Sequence, residues 1–338
     1  MASSAKAASV SGASPHTLKR EYYDALRQLT VELSGIQLGR DCAFLIETRL
    51  ATLAREEGFE SLADLVEDLF ASGQNRLAVR VVSTLLERDT RFFEDLPSLG
   101  QFTKTVLPRL RSAITDRPIR LLSFGCASGQ EAWTLAMLMR QIERRTGAFD
   151  WQVIGVDYPS AALERARTGV YTHFEVQRGL PVQQLVANFE PHGADSWSVK
   201  TQLRDRVRFE DFHLLSKLDP LGEFDCTVFR GALARYSGPA QVRVVRGVSS
   251  VVREGGYLLM GSSESITEVN SNFDAVDGMA NLYRRRIPPP PPKRTRFGSE
   301  DTAPRRPRRA KETLGKRQLS PAMEALLAEL EASDEADG

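Results

Sequence analysis

The run Leu121-Leu122-Ser123-Phe124-Gly125-Cys126-Ala127-Ser128-Gly129-Gln130-Glu131 passes from apolar to small to acidic. Gly125 and Gly129 let a ligand approach the backbone, and a helix opening at Gln130 turns its N-terminus towards polar or negative groups. Further on, the apolar run Trp151-Gln152-Val153-Ile154-Gly155-Val156 ends at Asp157. An acid at the tip of a second strand is where nucleotide-type α/β folds hold a ribose diol. The glycine spacing is not G-x-G-x-x-G, so a dinucleotide site fits poorly. Taken alone, these residues suit a nucleoside site and a plain strand-to-helix turn about equally.

Such side chains need a frame that alternates strand and helix. Ile119–Phe124 reads as a buried strand, and the segment from Gln130 through Arg140 as a helix carrying Trp133, Leu135 and Met139. Ser160–Thr168 is a helix with Leu163 and Ala166 facing in. Phe224–Phe229 is another strand, Val242–Val252 a helix, and Tyr257–Gly261 a strand after the Gly255-Gly256 turn. Phe273–Val276 and Asn281–Arg285 read as a closing pair around Asp277-Gly278. The alternation predicts a parallel sheet. A hairpin at its C-terminal edge marks the S-adenosylmethionine methyltransferase version of this architecture. Between Gly169 and Asp211 lies an insertion, with a helix over Pro181–Phe189 and short strands around Trp197–Lys200 and Leu203–Phe209. A small exposed sheet there suits a peptide strand along its edge, and a structural elaboration equally well.

Ahead of the sheet, residues 17–95 read as a small helical bundle. Leu18, Tyr22, Leu26, Leu29 and Leu33 form one helical stripe, and comparable stripes run over Asp41–Arg55, Ser61–Phe70 and Asn75–Leu86. Residues 17–95 hold ten Lys and Arg against fifteen Asp and Glu, so the bundle's overall field does not attract an acidic partner. Residues 96–118 read as a linker with a helix over Phe102–Ser112, and residues 119–287 as the α/β domain, with its insertion at about 170–210. Residues 1–16 read as a disordered leader.

From Pro288 the composition changes. Pro288–Pro292 favour an extended polyproline II segment. Lys293–Arg317 carries ten basic and three acidic residues and reads as disordered. The stripe Met323, Leu326, Leu327 and Leu330 allows a helix over Pro321–Ala332 that could dock on a partner or on this chain. The partner of this 288–338 tail cannot be named from its residues.

Composition excludes several classes. Lys plus Arg number 45 and Asp plus Glu 44, which gives no global attraction to nucleic acid or membrane. Cys42, Cys126 and Cys226 are too widely spaced for a disulfide framework or a zinc site, and no metal site is expected. The small polar stretch Met1–Ser14 lacks the apolar core of a secretory leader, and no run approaches the ~20 apolar residues of a membrane span. These features suit a reducing cytoplasm.

Taken together, the motifs resemble the chemotaxis receptor methyltransferases, the CheR family, from about Tyr23 to Arg285. The resemblance rests on Gly35-Ile36-x-Leu38, Arg49-Leu50, Thr90-x-Phe92-Phe93, the Gly125–Glu131 run and Asp157. It continues through Ala166-x-x-Gly169-x-Tyr171, Leu180-Pro181, Phe224-Asp225 and Gly255-Gly256-Tyr257-Leu258-x-x-Gly261-Ser262-x-Glu264. It implies a helical N-terminal part joined to a Rossmann-like, class I S-adenosylmethionine-dependent methyltransferase domain with an inserted small β-subdomain. It also implies a cytoplasmic enzyme that converts glutamate carboxylates on the helical rods of chemoreceptors to methyl esters. In some members the inserted sheet binds a receptor tail.

By the same resemblance, Glu131 contacts the methionine part of the cofactor and Asp157 its ribose. Thr90, Gly125, Gly129, Leu214, Arg230 and Gly231 line the cofactor, and His213 stands near the adenine where the family has asparagine. The reacting end departs from the pattern. Glu94 replaces an arginine, Arg88 an asparagine, Gly231 an asparagine and Arg235 a tyrosine, with Tyr236 one residue late. Arg235, Glu94 and Tyr236 are therefore the candidate catalytic residues. A glutamate beside a substrate carboxylate repels it by about 4 kcal/mol at 4 Å and an effective dielectric of 20. An ion pair between Glu94 and Arg235 at the pocket mouth would neutralise that repulsion while filling the acceptor's place. Two readings follow: an active protein-glutamate methyltransferase with an altered site, and a catalytically silent CheR-like module that binds cofactor or a partner.

Overall fold

The computed structural model describes residues 18–39, 42–72, 75–86, 88, 90–212, 218–266 and 272–287. The expectations for residues 1–17 and 288–338, and those for His213 and Leu214, lie outside these residues.

Four helices follow the apolar stripes: α1 (Arg20–Ser34), α2 (Ala43–Glu56), α3 (Leu62–Ser72) and α4 (Asn75–Leu86). Leu26, Ile46, Leu50, Leu65, Val66 and Val81 are fully buried and form a core separate from that of the sheet. α1 ends at Gly35, whose φ of +76° is costly for any residue with a Cβ. The turn it makes sends Gly35-Ile36-Gln37 alongside Arg235-Tyr236-Ser237. Gln37 N donates to Arg235 O at 2.7 Å and Ser237 N to Gly35 O at 2.9 Å. The helical region is thus tied by main chain to a loop of the sheet.

The helix expected over Phe102–Ser112 starts earlier. α5 (Leu96–Gln101), a π-helical turn (Phe102–Val106) and α6 (Leu107–Ala113) run without a break. Asp95 caps α5 by accepting from Ser98 N at 3.4 Å. Leu99, Phe102, Val106, Leu107 and Leu110 belong to the core of the sheet, so this stretch packs as one of its layers.

The strands are β1 (Ile119–Phe124), β2 (Trp151–Asp157), β3 (Val170–Thr172), β4 (Phe189–His192), β5 (Ser196–Val199), β6 (Val207–Asp211), β7 (Phe224–Phe229), β8 (Val252–Met260), β9 (Phe273–Val276) and β10 (Met279–Arg285). The main sheet has the order β6-β2-β1-β7-β8-β10-β9. Its first five strands are parallel, and the β9–β10 hairpin is antiparallel, as expected. α7 (Gln130–Thr146), α8 (Ala161–Thr168) and α12 (Gly238–Val251) connect the parallel strands. This is the class I methyltransferase arrangement, with the order reversing between β1 and β7. Ligands in open α/β sheets bind at that reversal, outside the strands' C-terminal ends. Asp225, at the start of β7, is buried and takes both Arg117 guanidinium nitrogens at 2.8 and 2.6 Å and Arg120 N at 2.9 Å. That pins the lower ends of β1 and β7 together.

A second, antiparallel sheet has the order β3-β5-β4. The strand expected over Leu203–Phe209 is corrected. Leu203 lies in a helical turn, α11 (Thr201–Arg204), and β6 pairs in parallel with β2 at the edge of the main sheet. A half-buried pattern alone cannot say which sheet an edge strand joins. Two short helices, α9 (His173–Gln177) and α10 (Val182–Asn188), complete the insertion; α9 is fixed by a capping box between Thr172 and Glu175. No helix among the described residues is long and apolar enough to cross a membrane.

Candidate functional site

The loop after β1 has an unusual backbone. Gly125 and Gly129 have φ of +73° and +89°, and Ala127, an L residue, is held at +47°. A side chain on Gly129 would sit 2.7 Å from the Ala166 Cβ, so its bareness serves packing against α8. Gly129 lines none of the cavities described below. The strained Ala127 is held by Asp157, at the tip of β2, whose Oδ2 accepts from Ala127 N at 2.5 Å. Asp157 Oδ1 accepts from Tyr158 N at 2.7 Å. A carboxylate has about four acceptor positions, so Asp157 keeps capacity for donors arriving from outside the protein.

Asp157 lies on the wall of a cavity with about 580 Å³ of empty space, part of it open to solvent. Phe124, Tyr158, Phe212, Ile36 and Tyr236 supply apolar and aromatic surface, and Gly125 and Arg235 also line it. Tyr236 is almost fully buried, and burial pushes its phenol above the ordinary value, so it stays neutral. An apolar, aromatic slot beside a carboxylate with spare acceptor capacity fits a nucleoside.

A second cavity opens on the other side of Gly125, lined among others by Thr90, Glu94, Glu131, Arg230 and Gly231. Glu131, in the first turn of α7, accepts from Ser123 Oγ at 2.8 Å and from Arg230 Nε at 2.7 Å. This pair is nearly out of water, with side-chain exposures of 15% and 7%. Arg230 also donates to Glu94 O at 2.7 Å. Gly231 N and Gly261 N donate to Glu264 Oε2 at 2.7 and 3.0 Å, and Leu233 N donates to Oε1 at 3.2 Å. One carboxylate thereby shapes the whole loop after β7. Thr90 shares hydrogen bonds with Ser128 Oγ, at 3.1 Å, and with Gln130. Asp95 has a carboxyl that burial pushes up, but donation from Ser98 and Ser262 outweighs this and holds it below the ordinary value.

A third cavity lies between α2 and the loops of the site. Arg49, Arg88, Arg165, Arg178 and Arg235 line it, with Glu175 as its acid. Glu175 is already paired with Arg165 at 2.9 Å. The bundle's net negative charge therefore misleads about this face, where arginines from four segments converge. Arg88 borders all three cavities. Its guanidinium spans the site by donating to Gly125 O and, at 3.3 Å, to Gly231 O.

Among the candidate residues, Gly125, Asp157, Arg235 and Tyr236 meet in the first cavity. Thr90, Gly125, Glu131, Arg230, Gly231 and Glu94 meet in the second. The ion pair expected between Glu94 and Arg235 does not form. Glu94 is exposed on one cavity and Arg235 half-buried on two others, and no salt bridge joins them. Reading the sequence missed the bridging position of Arg88, the clamp by Glu264 and the support of Glu131 by Ser123. Arg88 had a signal as a departure from the family pattern; the other two are ordinary residues until the fold closes.

Known proteins resemble this chain over most of its length. A family model described as CheR methyltransferase, SAM binding domain, matches residues 88–281. Chemotaxis protein methyltransferase Cher2 of Pseudomonas putida is 28% identical over 260 residues, covering 75% of this chain and 94% of that protein. Chemotaxis protein methyltransferase 1 of Vibrio cholerae is 30% identical over 260 residues, covering 76% and 93%. Chemotaxis protein methyltransferase 1 of Pseudomonas aeruginosa is 28% identical over 269 residues, covering 78% and 97%.

Proposed function

The chain belongs to the CheR methyltransferase family, a family of S-adenosylmethionine-dependent enzymes, and from that membership we propose that it esterifies glutamate carboxylates on chemoreceptor cytoplasmic rods. Its place of work on this reading is the cytoplasm. The observation that supports it is the meeting of two compartments at Arg88 and Arg235: an acid-walled slot suited to the cofactor, and an arginine-lined groove suited to an anionic acceptor.

S-adenosylmethionine supplies an electrophilic methyl group. On this reading Asp157 accepts from the ribose hydroxyls and Glu131, oriented by Ser123 and Arg230, faces the amino-acid end. Thr90, Gly125, Arg230 and Gly231 line the remainder. The acceptor glutamate is ionised at neutral pH, so no side chain has to remove a proton before it attacks. The residues' task is alignment and exclusion of water. Esterification removes the acceptor's charge, so the arginines that draw in a carboxylate hold the ester less tightly, which favours release.

The test is S-adenosylhomocysteine binding by calorimetry, followed by tritiated methyl transfer to chemoreceptor cytoplasmic fragments. Label released as methanol by mild base supports glutamate esters. Base-stable label would assign another acceptor, and cofactor binding with no label on any fragment would favour a binding module.

A further inference from the structure

Arg235 is half-buried, yet it makes no ion pair and no side-chain hydrogen bond among the described residues. Its main chain is fixed from both sides, by the turn that starts at Ala232 and by Gln37 N donating to its carbonyl oxygen. Arg88 borders the same two cavities, and its hydrogen bonds go to neutral carbonyls, so no described carboxylate balances its charge. Burial, with the neighbouring Arg88 and Arg49 guanidinium groups, holds Arg235 below the ordinary arginine value. Asp157 attracts Arg235 through space but forms no ion pair with it, so the two neighbouring cations are left without a paired carboxylate, which a ligand can supply. Asp157, which borders the first cavity with them, gives two of its acceptor positions to the backbone of Ala127 and Tyr158.

We propose that Arg88 and Arg235 form a fork that receives the acceptor's side-chain carboxylate, with Arg88 as its fixed prong and Arg235 as its free one. This rests on the glutamate-ester reading and adds which residues select the acceptor. Arg88 is braced across the two loops that border the cofactor slot, so a carboxylate bound to the fork sits at the boundary between slot and groove. Glu94 lines the second cavity, which Arg88 borders but Arg235 does not, and it lines neither the slot nor the groove. The fork also discriminates against an amide: a glutamine side chain offers no charge to either prong. Where the resemblance puts one arginine at the position of Glu94, this chain has positive charge at 88 and 235 instead.

The experiment uses the full chain, chemoreceptor cytoplasmic fragments as acceptors, and base-labile methyl transfer as readout, with S-adenosylhomocysteine affinity measured in parallel. Arg235→Gln should lower kcat/KM for the acceptor by about 10- to 100-fold, the scale of a hydrogen bond to a charged group, mainly through KM. Its cofactor affinity should stay within about threefold of wild type, and Arg235→Lys should recover part of the loss, because charge is retained and only the fork geometry is lost. Arg235 is chosen over Arg88 because Arg88 also braces the loops. If Arg235→Gln methylates the acceptor with unchanged KM, the fork is overturned and the ester reading stands. If its cofactor affinity falls in step with its activity, Arg235 serves the cofactor and the fork is again overturned. Wild-type protein that binds cofactor but forms no base-labile ester on any fragment would remove the fork and the ester reading together.

Discussion

Glu131 and Arg235 sit on opposite sides of Gly125 and are treated oppositely by the fold. Around Glu131 nearly every polar atom has a protein partner: Ser123 and Arg230 serve the carboxylate, and Arg230 reaches on to the carbonyl of Glu94. The neighbouring Glu264 takes three backbone N–H groups. Around Arg235 no acid forms an ion pair: Arg88 and Arg49 repel it and Asp157 attracts it only through space. The first region is a closed network that builds a shape and contributes to stability. The second leaves its cations without a paired carboxylate, a place that an anionic ligand can take.

The comparison predicts that removing charge on the two sides has unequal consequences. Glu131→Ala leaves the Arg230 guanidinium without its acid at 7% exposure. Breaking a buried pair from one side costs about 3–5 kcal/mol, and the carbonyl bonds that Arg230 keeps put the expectation at the lower end. Urea denaturation checks this; a loss below about 1 kcal/mol would show that the pair is hydrated and that the two sides do not differ. Next in size is Asp157→Ala, which should weaken S-adenosylhomocysteine binding by about 1.5–3 kcal/mol, the scale of charge-assisted hydrogen bonds. It also frees the strained Ala127 turn, so the effect should exceed that of Asp157→Asn, which can still accept from Ala127 N. Equal calorimetric affinities for all three proteins would remove Asp157 from the cofactor's partners.

A smaller effect tests the closed side by pH. Asp95 is held below the ordinary carboxylate value of 3.8 by donors that outweigh its burial. As pH falls, the unfolded chain takes up this proton before the folded one does. The contribution of Asp95 is therefore fully present above about pH 4 and disappears as pH falls through the lower, folded value. Asp95→Asn should lose stability less steeply over that range. Parallel acid limbs for variant and wild type in thermal melts would mean that Ser98 and Ser262 do not favour the charged form.

Much of the closed side could be read in the sequence, while on the open side only Arg88 and Arg235 stood out, as departures from the family pattern. The β1 strand, the glycine loop, the start of α7 and Asp157 are local signals, carried by periodicity and small residues within one βαβ unit. Glu131 and Asp157 follow from those boundaries. The groove is assembled from α2, the segment after α4, the α8–α9 region and the loop after β7, so its five arginines stand far apart in sequence. Counting charges over residues 17–95 averages them against acids on other faces. The pairing of Glu94 with Arg235 rests on opposite charge and on the place at the pocket mouth that the resemblance gives both; it fails because the two side chains line separate cavities, with Gly125 and Arg88 between them. The edge strand β6 was assigned to the wrong sheet for a related reason. Its alternation shows that one face is buried, while the partner strand is set by the βαβ crossover and not by the residues of β6.

The smallest expected effect is also the most diagnostic of the comparison. Arg235→Ala removes a full charge from a half-buried position, which elsewhere in the site would be costly. Here no ion pair and no side-chain hydrogen bond is lost. What disappears is some packing by the side-chain stem and the attraction of Asp157, offset by relief of the repulsion from Arg88 and Arg49. The two terms oppose each other, and stability should stay within about 0.5 kcal/mol of wild type, as at surface positions without special partners. Added salt should then distinguish the proteins. Screening already relieves part of the repulsion in wild type, so wild type should gain more stability from salt than Arg235→Ala does. Denaturation at low and high ionic strength measures both. A variant destabilised by more than about 2 kcal/mol, on the scale of a broken network, would mean that Arg235 belongs to the fold's own closed network.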